Sequence, residues 1–261
     1  MRLLLPAILF VVAVPSAAQP APMKMPPPAA GYIAAQSPLA LLRLVPPPPE
    51  AGSSEDEADR FLYRHSRRGI GGAQWQRAIG QLSVTSPSFI KTVSCALGAS
   101  LSPQSTPATM TLLRRAGTDL GMAVFAAKDY YKRARPFTTD NNGKGRGKTC
   151  DPDAAVDAGN GRGGALGFAY PSGHAAVGWL WGLILSDARP ERSAAVLKFG
   201  KDTGDLRIAC RVHWSSDVTS GRLLATALYQ QIADSADYKA DVAKARSELN
   251  LAAVPEGCPA I

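Results

Sequence analysis

Two cations in one short segment of the sequence, Lys128 and Arg135, suit the binding of a phosphate-like dianion. They are seven residues apart, nearly two turns of a helix, so a helix through this segment places both on one side. Pro136 follows Arg135 and marks the end of that helix. An arginine offers a planar fork to a phosphate, and a lysine offers a compact charge. The segment therefore predicts an anion clamp, with a solvated, dipole-compensating helix end as the alternative.

A second segment, Tyr170-Pro171-Ser172-Gly173-His174, precedes an apolar run and has the pattern of a helix start. Ser172 is placed to cap this helix, so Gly173 and His174 fall in its first turn. Unpaired backbone N–H groups and the positive end of the helix dipole attract an anion there, and Gly173 has no side chain to obstruct it. His174 then stands beside the anion as a proton donor. The alternative is an ordinary capped helix with a surface histidine.

The third segment contains Arg207, His213 and Asp217. The histidine and the aspartate are four residues apart, so on a helix or a tight turn the carboxylate accepts a hydrogen bond from one imidazole nitrogen. That bond fixes the tautomer and leaves the other nitrogen free as a nucleophile or a base. Arg207 adds a further guanidinium. The alternative is a weak histidine–aspartate pair at the surface.

Together the three segments supply three cations, a nest of backbone N–H groups and two histidines, one of which has a carboxylate partner. The whole sequence has only three histidines. A zinc site requires at least three protein ligands, and the sequence offers no third neighbouring ligand to join His174 and His213. We therefore expect a site without a metal or any other cofactor, in which the cations hold an oxyanion.

These segments, in this order, resemble the signature of the phosphatidic acid phosphatase type 2 superfamily, which is shared with the vanadium haloperoxidases. That signature is lysine, six residues, Arg-Pro; then Pro-Ser-Gly-His; then Ser-Arg, five residues, histidine, three residues, aspartate. The sequence meets every fixed position except one, because Leu206 stands where the family has serine. The stretches 186–192 and 213–218 are also similar to the class A bacterial non-specific acid phosphatases. The resemblance covers about residues 40–235.

The resemblance implies a role for each matched residue. His213 is the expected nucleophile, Asp217 orients it, and His174 protonates the leaving alcohol and later activates water. The other matched residues are expected to bind the phosphoryl oxygens: Lys128, Arg135, Ser172, Gly173 and Arg207. The implied function is a metal-independent, non-specific acid phosphatase that hydrolyses phosphate monoesters through a phosphohistidine intermediate. Transfer of the phosphoryl group to other alcohols is left open.

Two other functions are weighed against this one. A vanadium-dependent haloperoxidase would use the same pocket to hold vanadate, but the chain is short for that group and nothing outside the shared pocket suggests halide oxidation. A non-catalytic phosphate-binding protein would make Leu206 a mark of decay. The presence of both histidines and of Asp217 argues against that second alternative.

The elements that must position these residues have helical periodicity. The first helix begins after Ser53 or Ser54 with acidic residues and ends with arginines before Gly69, as the helix dipole favours. Further helices are predicted at about 88–97, 107–133, 172–187, 190–209 and 215–233. In the second of these, Gly117 and Gly121 suit a close approach of another helix. Because strand patterns are scarce, we expect an all-α fold, a single compact helical bundle domain of the acid phosphatase and vanadium haloperoxidase type.

Length and composition fit an ordinary globular protein of 261 residues, 46% of them hydrophobic and 19% charged. Residues 1–18 have the positive start, apolar run and small residues of a secretory signal peptide, with cleavage expected after about Ala18. That run is shorter than the roughly 20 residues of a membrane-spanning helix, and no later segment qualifies. We therefore expect a periplasmic or secreted protein, with a proline-rich arm over 19–50 and the helical acid phosphatase domain over 51–261.

The formal net charge of +8 suits anionic partners. Because the basic residues are scattered and form no block, we expect small phosphomonoester substrates and no nucleic acid, and a homo-oligomer is left open. Export permits disulfides among Cys95, Cys150, Cys210 and Cys258, in any of three pairings. The glycine-rich stretch 138–167 is interpreted either as a basic rim that attracts substrates or as an ordinary loop.

Overall fold

The computed structural model describes residues 30–33, 38–139, 147–154 and 164–258, and these residues contain helices, turns and loops but no β-strand. The helices are α1 (Pro38–Leu42), α2 (Ser54–His65), α3 (Ala73–Gly80), α4 (Pro87–Leu97), α5 (Pro107–Tyr131), α6 (Pro136–Thr139), α7 (Gly173–Ala188), α8 (Ser193–Ala209), α9 (Ser215–Ile232) and α10 (Ala236–Leu249). Single 3-10 turns lie at Ser66–Gly69, Gly164–Gly167 and Pro190–Arg192. The prediction of an all-α fold is confirmed.

Serine side chains fix where several of the helices begin. Ser53 Oγ accepts a hydrogen bond from the backbone N–H of Asp56, and the predicted acidic first turn of α2 follows it. Ser86 caps α4 in the same way, with Pro87 at the first helical position. Gly98 ends α4 in the left-handed region, which glycine adopts at little cost. The predicted helices thus appear to within a few residues of their expected ends.

Besides the short helices α1 and α6, of five and four residues, the sequence patterns do not predict α3 and α10. Helix α3 has only eight residues, and Gly72 before it provides no side-chain cap. Helix α10 is mostly polar, and its short apolar face is buried against the rest of the domain through Tyr238, Val242, Ala245 and Leu249. Tertiary packing, which the local pattern does not record, therefore stabilises both helices.

The helix pair α7 and α8 forms the most extensive interhelical contact among the described residues. Glycines permit this approach, because a Cβ built on Gly200 would lie 2.6 Å from the carbonyl oxygen of Gly178. A Cβ on Gly182 would similarly lie 2.9 Å from the carbonyl oxygen of Val196. The pair carries His174 near its start and Arg207 near its end, so close packing of the two backbones sets the distance between two site residues.

Helix α5 differs from its sequence prediction in two ways. The sequence suggests that another helix packs closely on Gly117 and Gly121. A Cβ built on either glycine meets no described atom within 4 Å, so no described helix does so. The helix also ends at Tyr131, because Lys132 adopts the left-handed conformation with φ of 47°. Arg135 therefore does not lie two helical turns beyond Lys128, and a loop brings it to the same place.

Part of the segment expected to be a proline-rich arm packs onto the helices. Leu41, Leu42 and Val45 are buried in the main apolar core, and α1 contacts α5. The hydroxyl of Tyr170 donates to the carbonyl oxygen of Pro46. The expected signal peptide, residues 1–18, lies outside the described residues.

Two disulfides select one of the three pairings that the sequence leaves open. Cys95 in α4 bonds to Cys258 near the C-terminus, and Cys150 bonds to Cys210 directly after α8. The second disulfide holds the described loop 147–154 against the segment that leads to His213. Within the described ranges, no helix combines the length and the apolar character needed to cross a bilayer.

Candidate active site

The three segments that the sequence singles out, which contain Lys128, His174 and His213, meet at one cavity of about 420 Å³. The predicted site residues that line it are Lys128, Arg135, Gly173, His174, Arg207 and His213. They come from the end of α5 and the loop after it, the N-terminus of α7, the end of α8 and the loop before α9. Asp217 and Ser172 do not line the cavity and lie buried directly behind residues that do. Residues distant in sequence therefore surround a single pocket.

The imidazole of His213 is held by one nitrogen and presents the other to the cavity. Its Nδ1 lies 3.3 Å from Oδ2 of Asp217, and its Nε2 lies 3.3 Å from Nη1 of Arg135. A guanidinium only donates, so Nε2 carries the lone pair in this contact and the proton resides on Nδ1, which donates to the carboxylate. The predicted pairing of His213 with Asp217 thus occurs in a buried setting, and its geometry leaves a nucleophilic nitrogen at the pocket.

Asp217 is fixed by the start of its own helix and by an arginine. Its Oδ2 accepts from the backbone N–H of Trp214 at 2.8 Å, the contact that a carboxylate in the first turn makes to a helix N-terminus. Its Oδ1 accepts from Nη1 of Arg133 at 2.6 Å. Burial raises the pKa of Asp217, while the charge of Arg133 and these hydrogen bonds act in the opposite direction and favour the ionised form.

His174 is anchored to a backbone carbonyl outside its own helix. Its Nε2 lies 3.0 Å from the carbonyl oxygen of Leu82, in the loop between α3 and α4. A carbonyl only accepts, so Nε2 carries a proton and Nδ1 is the nitrogen available to exchange one with a substrate. Ser172 Oγ accepts from the backbone N–H of Ala175 at 3.4 Å and so caps α7. Gly173 contributes to the cavity wall itself.

Lys128 and Arg207 are cations buried beside the cavity. Nζ of Lys128 donates to the carbonyl oxygen of Phe168 at 2.6 Å, and burial together with the charge of Arg135 lowers the pKa of Lys128 to about 7. Burial also lowers the pKa of Arg207 to about 10. Nε and Nη1 of Arg207 have no hydrogen-bond partner among the described residues. Because buried donors without partners are costly, these two N–H groups indicate the place of an anionic ligand.

The same burial and charges act on the two histidines. Burial, then the charges of Arg135, Lys128 and Arg207, lowers the pKa of His213 well below its usual range. Burial and Arg207 have the same effect on the pKa of His174. His213 is therefore neutral and able to attack even in mildly acidic solution. A dianion bound among the cations offsets their charge, so it favours protonation of His174.

Arg133 and Asp59, for which the sequence predicts no role, support the site. Nη2 of Arg133 lies 2.8 Å from Oδ2 of Asp59, and Oδ1 of Asp59 accepts from the backbone N–H of Ser216 at 2.9 Å. The buried network thus joins α2, the loop after α5 and the first turn of α9. The one feature of the sequence that points to Arg133 is its place in the basic segment, two residues before Arg135. Asp59 is remote in sequence and offers none.

Asp151 also lacks a predicted role. Its Oδ2 accepts from Nη2 of Arg207 at 3.0 Å, which orients the guanidinium. The disulfide between Cys150 and Cys210 places Asp151 beside the end of α8. Only knowledge of that pairing would have indicated the contact from the sequence.

Leu206, the departure from the expected signature, faces away from the cavity. Its side chain is buried in a small apolar cluster with Tyr63, Cys150 and Trp214. At the position where the signature has serine, this chain therefore has a leucine that packs in the core. Most of the glycine-rich stretch 138–167, including Lys144, lies outside the described residues. No cluster of histidine, cysteine and acidic residues suited to a metal occurs in the part of the chain that the structure describes.

Comparison with known proteins identifies the family of this chain. The profile of the PAP2 superfamily matches residues 116–235, a range that contains every predicted site residue. The chain is 35% identical over 182 residues to the non-specific acid phosphatase of Salmonella typhimurium, covering 69% of this chain and 68% of that protein. It is 30% identical over 219 residues to the acid phosphatase of Zymomonas mobilis, covering 81% of this chain and 76% of that protein. The chain therefore belongs to the PAP2 superfamily and, within it, to the bacterial acid phosphatases.

Proposed function

We propose that the protein is an exported phosphomonoesterase of broad specificity that acts through a phosphohistidine at His213, with no requirement for a metal. The observation that carries the proposal is the orientation of His213. Its Nδ1 is held by Asp217, and its Nε2 is directed into a pocket lined by Lys128, Arg135 and Arg207. Phosphoryl transfer depends mainly on such positioning and on stabilisation of charge.

In the first step the substrate phosphoryl group binds among the three cations and the N-terminus of α7. The two N–H groups of Arg207 without described partners would donate to its oxygens, as would the backbone N–H groups near Gly173. The lone pair on Nε2 of His213 then attacks phosphorus while the ester P–O bond breaks. The leaving oxygen takes a proton from Nδ1 of His174, so the alcohol departs neutral.

In the second step His174 acts as a base. It accepts a proton from a water molecule, whose oxygen attacks phosphorus as the P–N bond to His213 breaks. His213 regains its lone pair, inorganic phosphate is released, and Asp217 has stabilised the positive charge of the imidazole throughout. An alcohol in place of that water would accept the phosphoryl group instead, so the same site supports phosphotransfer as a second activity.

Export of the protein is supported by the signal-peptide pattern of residues 1–18 and by the two disulfides. Disulfides persist in the periplasm and outside the cell, where thiols are oxidised. Edman or mass-spectrometric analysis of the mature N-terminus tests this part. Cleavage close to Ala18 is expected, and a mature protein that retains Met1 would contradict export through such a signal.

A comparison of histidine variants tests the proposed function. We expect His213→Ala to lose at least about a thousandfold in turnover of p-nitrophenyl phosphate. His65→Ala is the matched control, because His65 is exposed and lies outside the cavity, and it should retain wild-type turnover. Excess chelator should leave the wild type unchanged. Wild-type turnover in His213→Ala, or activity lost to chelator and restored by zinc or magnesium, would overturn the proposal.

A further inference from the structure

The active-site cavity extends beyond the residues that would hold a phosphoryl group. Its volume of about 420 Å³ falls in the range of pockets for whole small molecules, about 300–1,000 Å³. Part of it, which we call the apolar groove, is lined by Leu82, Val84, Gly117, Gly121, Phe125 and Val177. None of these residues has a polar side chain. The proposed chemistry takes place at the cationic end of the cavity, so it assigns no part of a substrate to the groove.

The groove follows one face of α5. Gly117, Gly121, Phe125 and Lys128 are separated by four, four and three residues, which places them along one side of the helix. At a rise of 1.5 Å per residue, Gly117 lies about 16 Å from Lys128 along the helix axis. The groove therefore begins at the phosphoryl-binding lysine and runs toward the N-terminus of α5.

Two glycines give the groove its floor. A Cβ at Gly117 or Gly121 would meet no described atom within 4 Å, so the helix surface there is open. Phe125 is 48% exposed on the same face, so its ring is available to contact a ligand in the groove. The acidic residues of the cavity, Asp151 and Asp153, belong to the loop that pairs with Arg207.

From this arrangement we infer that the apolar groove is the leaving-group subsite of the enzyme and selects phosphate monoesters of apolar alcohols. An alkyl or aryl group bound there would remove its own surface and that of Phe125 and Val177 from water. A leaving group rich in hydroxyls, such as glycerol, would lose hydration and find no side-chain partner along the floor. The inference rests on the proposed function, because the phosphoryl site fixes one end of the ligand.

Binding of alkylphosphonates tests the subsite without any need for turnover. The probes are methyl-, propyl-, hexyl- and octylphosphonate, measured by isothermal titration calorimetry at one pH. Each added methylene should tighten binding by up to about fourfold until the groove is filled. 2,3-Dihydroxypropylphosphonate should bind more weakly than propylphosphonate. Equal affinity across the alkyl series would overturn the inference.

A variant that fills the floor completes the test. Gly121→Leu should abolish the gain with chain length while its affinity for methylphosphonate stays within about twofold of the wild type. Met122→Leu is the matched control, since Met122 is exposed on α5 outside the cavity, and it should retain the gain. An unchanged gradient in Gly121→Leu would overturn the inference. A normal gradient in a protein that hydrolyses no phosphomonoester would contradict the proposed function and still support the groove.

Discussion

Arg133 Nη1 lies 2.6 Å from Oδ1 of Asp217, and the same guanidinium reaches Oδ2 of Asp59 at 2.8 Å. One arginine thus bridges α2 and the first turn of α9 through two buried carboxylates. Because Asp217 also lies against Nδ1 of His213, Arg133 fixes the carboxylate that orients the proposed nucleophile. Arg133 and Asp59 are positioning residues in this arrangement, since neither lines the cavity.

Replacing Arg133 should therefore impair turnover more than substrate binding. We expect Arg133→Met to lower kcat by about 10- to 100-fold, by analogy with the loss seen when the outer hydrogen-bond partners of metal-ligating side chains are removed, with KM changed by less than about threefold. Steady-state kinetics measure both constants. Arg115→Met is the control, because Arg115 pairs with Asp237 and Asp241 on α10 and should leave kcat unchanged.

Stability has to be followed in the same variant. Removing one partner of a buried ion pair costs about 3–5 kcal/mol, so Arg133→Met should also melt at a lower temperature. Kinetics are therefore measured well below its melting temperature, on protein shown by circular dichroism to be folded. A folded Arg133→Met with wild-type kcat would show that the arginine only stabilises the fold.

Anion binding should depend on pH through Lys128. The lysine is charged below its pKa of about 7 and neutral above it, so binding that uses this charge is lost as pH rises through 7. Sulfate is a suitable probe because it stays a dianion across this range. The inhibition constant of sulfate should rise by up to about tenfold per pH unit above pH 7.

Two substitutions assign that pH dependence. Lys128→Met should bind sulfate weakly at every pH and lose most of the slope, because the titrating charge is gone. Lys132→Met removes an exposed lysine from the same segment and should keep the wild-type profile. If Lys128→Met retains the full slope, another group titrates and the assignment to Lys128 is wrong.

The glycines of α7, α8 and α5 should respond differently to alanine. Gly200→Ala would place a Cβ 2.6 Å from the carbonyl oxygen of Gly178, so it should destabilise the fold by about 1–3 kcal/mol. Gly117→Ala adds a methyl group in open space on a helix and should stabilise it by about 0.5–1 kcal/mol. Urea unfolding measures both changes. Equal effects of the two substitutions would contradict the close approach of α7 and α8.

The sequence predicts much of the site because its signals are local. Ser172, Gly173 and His174 belong to one helix start, and the spacing of His213 and Asp217 is one helical turn. Capping and helical periodicity act within a few residues, so they can be recognised without coordinates. The same reasons explain why the main helices are predicted to within a few residues.

The parts of the site that the sequence does not predict depend on contacts between residues that are distant along the chain. Asp59 reaches Arg133 from a different helix, and Asp151 reaches Arg207 only because a disulfide holds its loop there. The same applies to Gly117, whose neighbours decide whether a glycine packs against a helix or opens a groove. No pattern along the chain distinguishes those outcomes.

Trapping the phosphoryl group on the protein is the most direct test of His213 as the nucleophile. Brief mixing with radiolabelled phosphomonoester, followed by quenching under alkaline denaturing conditions, should leave label that is stable to alkali, labile to acid and located on the peptide containing His213. His65→Ala should give the same label and His213→Ala none. Label on a serine or aspartate, or label that persists in His213→Ala, would contradict the assignment of His213 as the nucleophile.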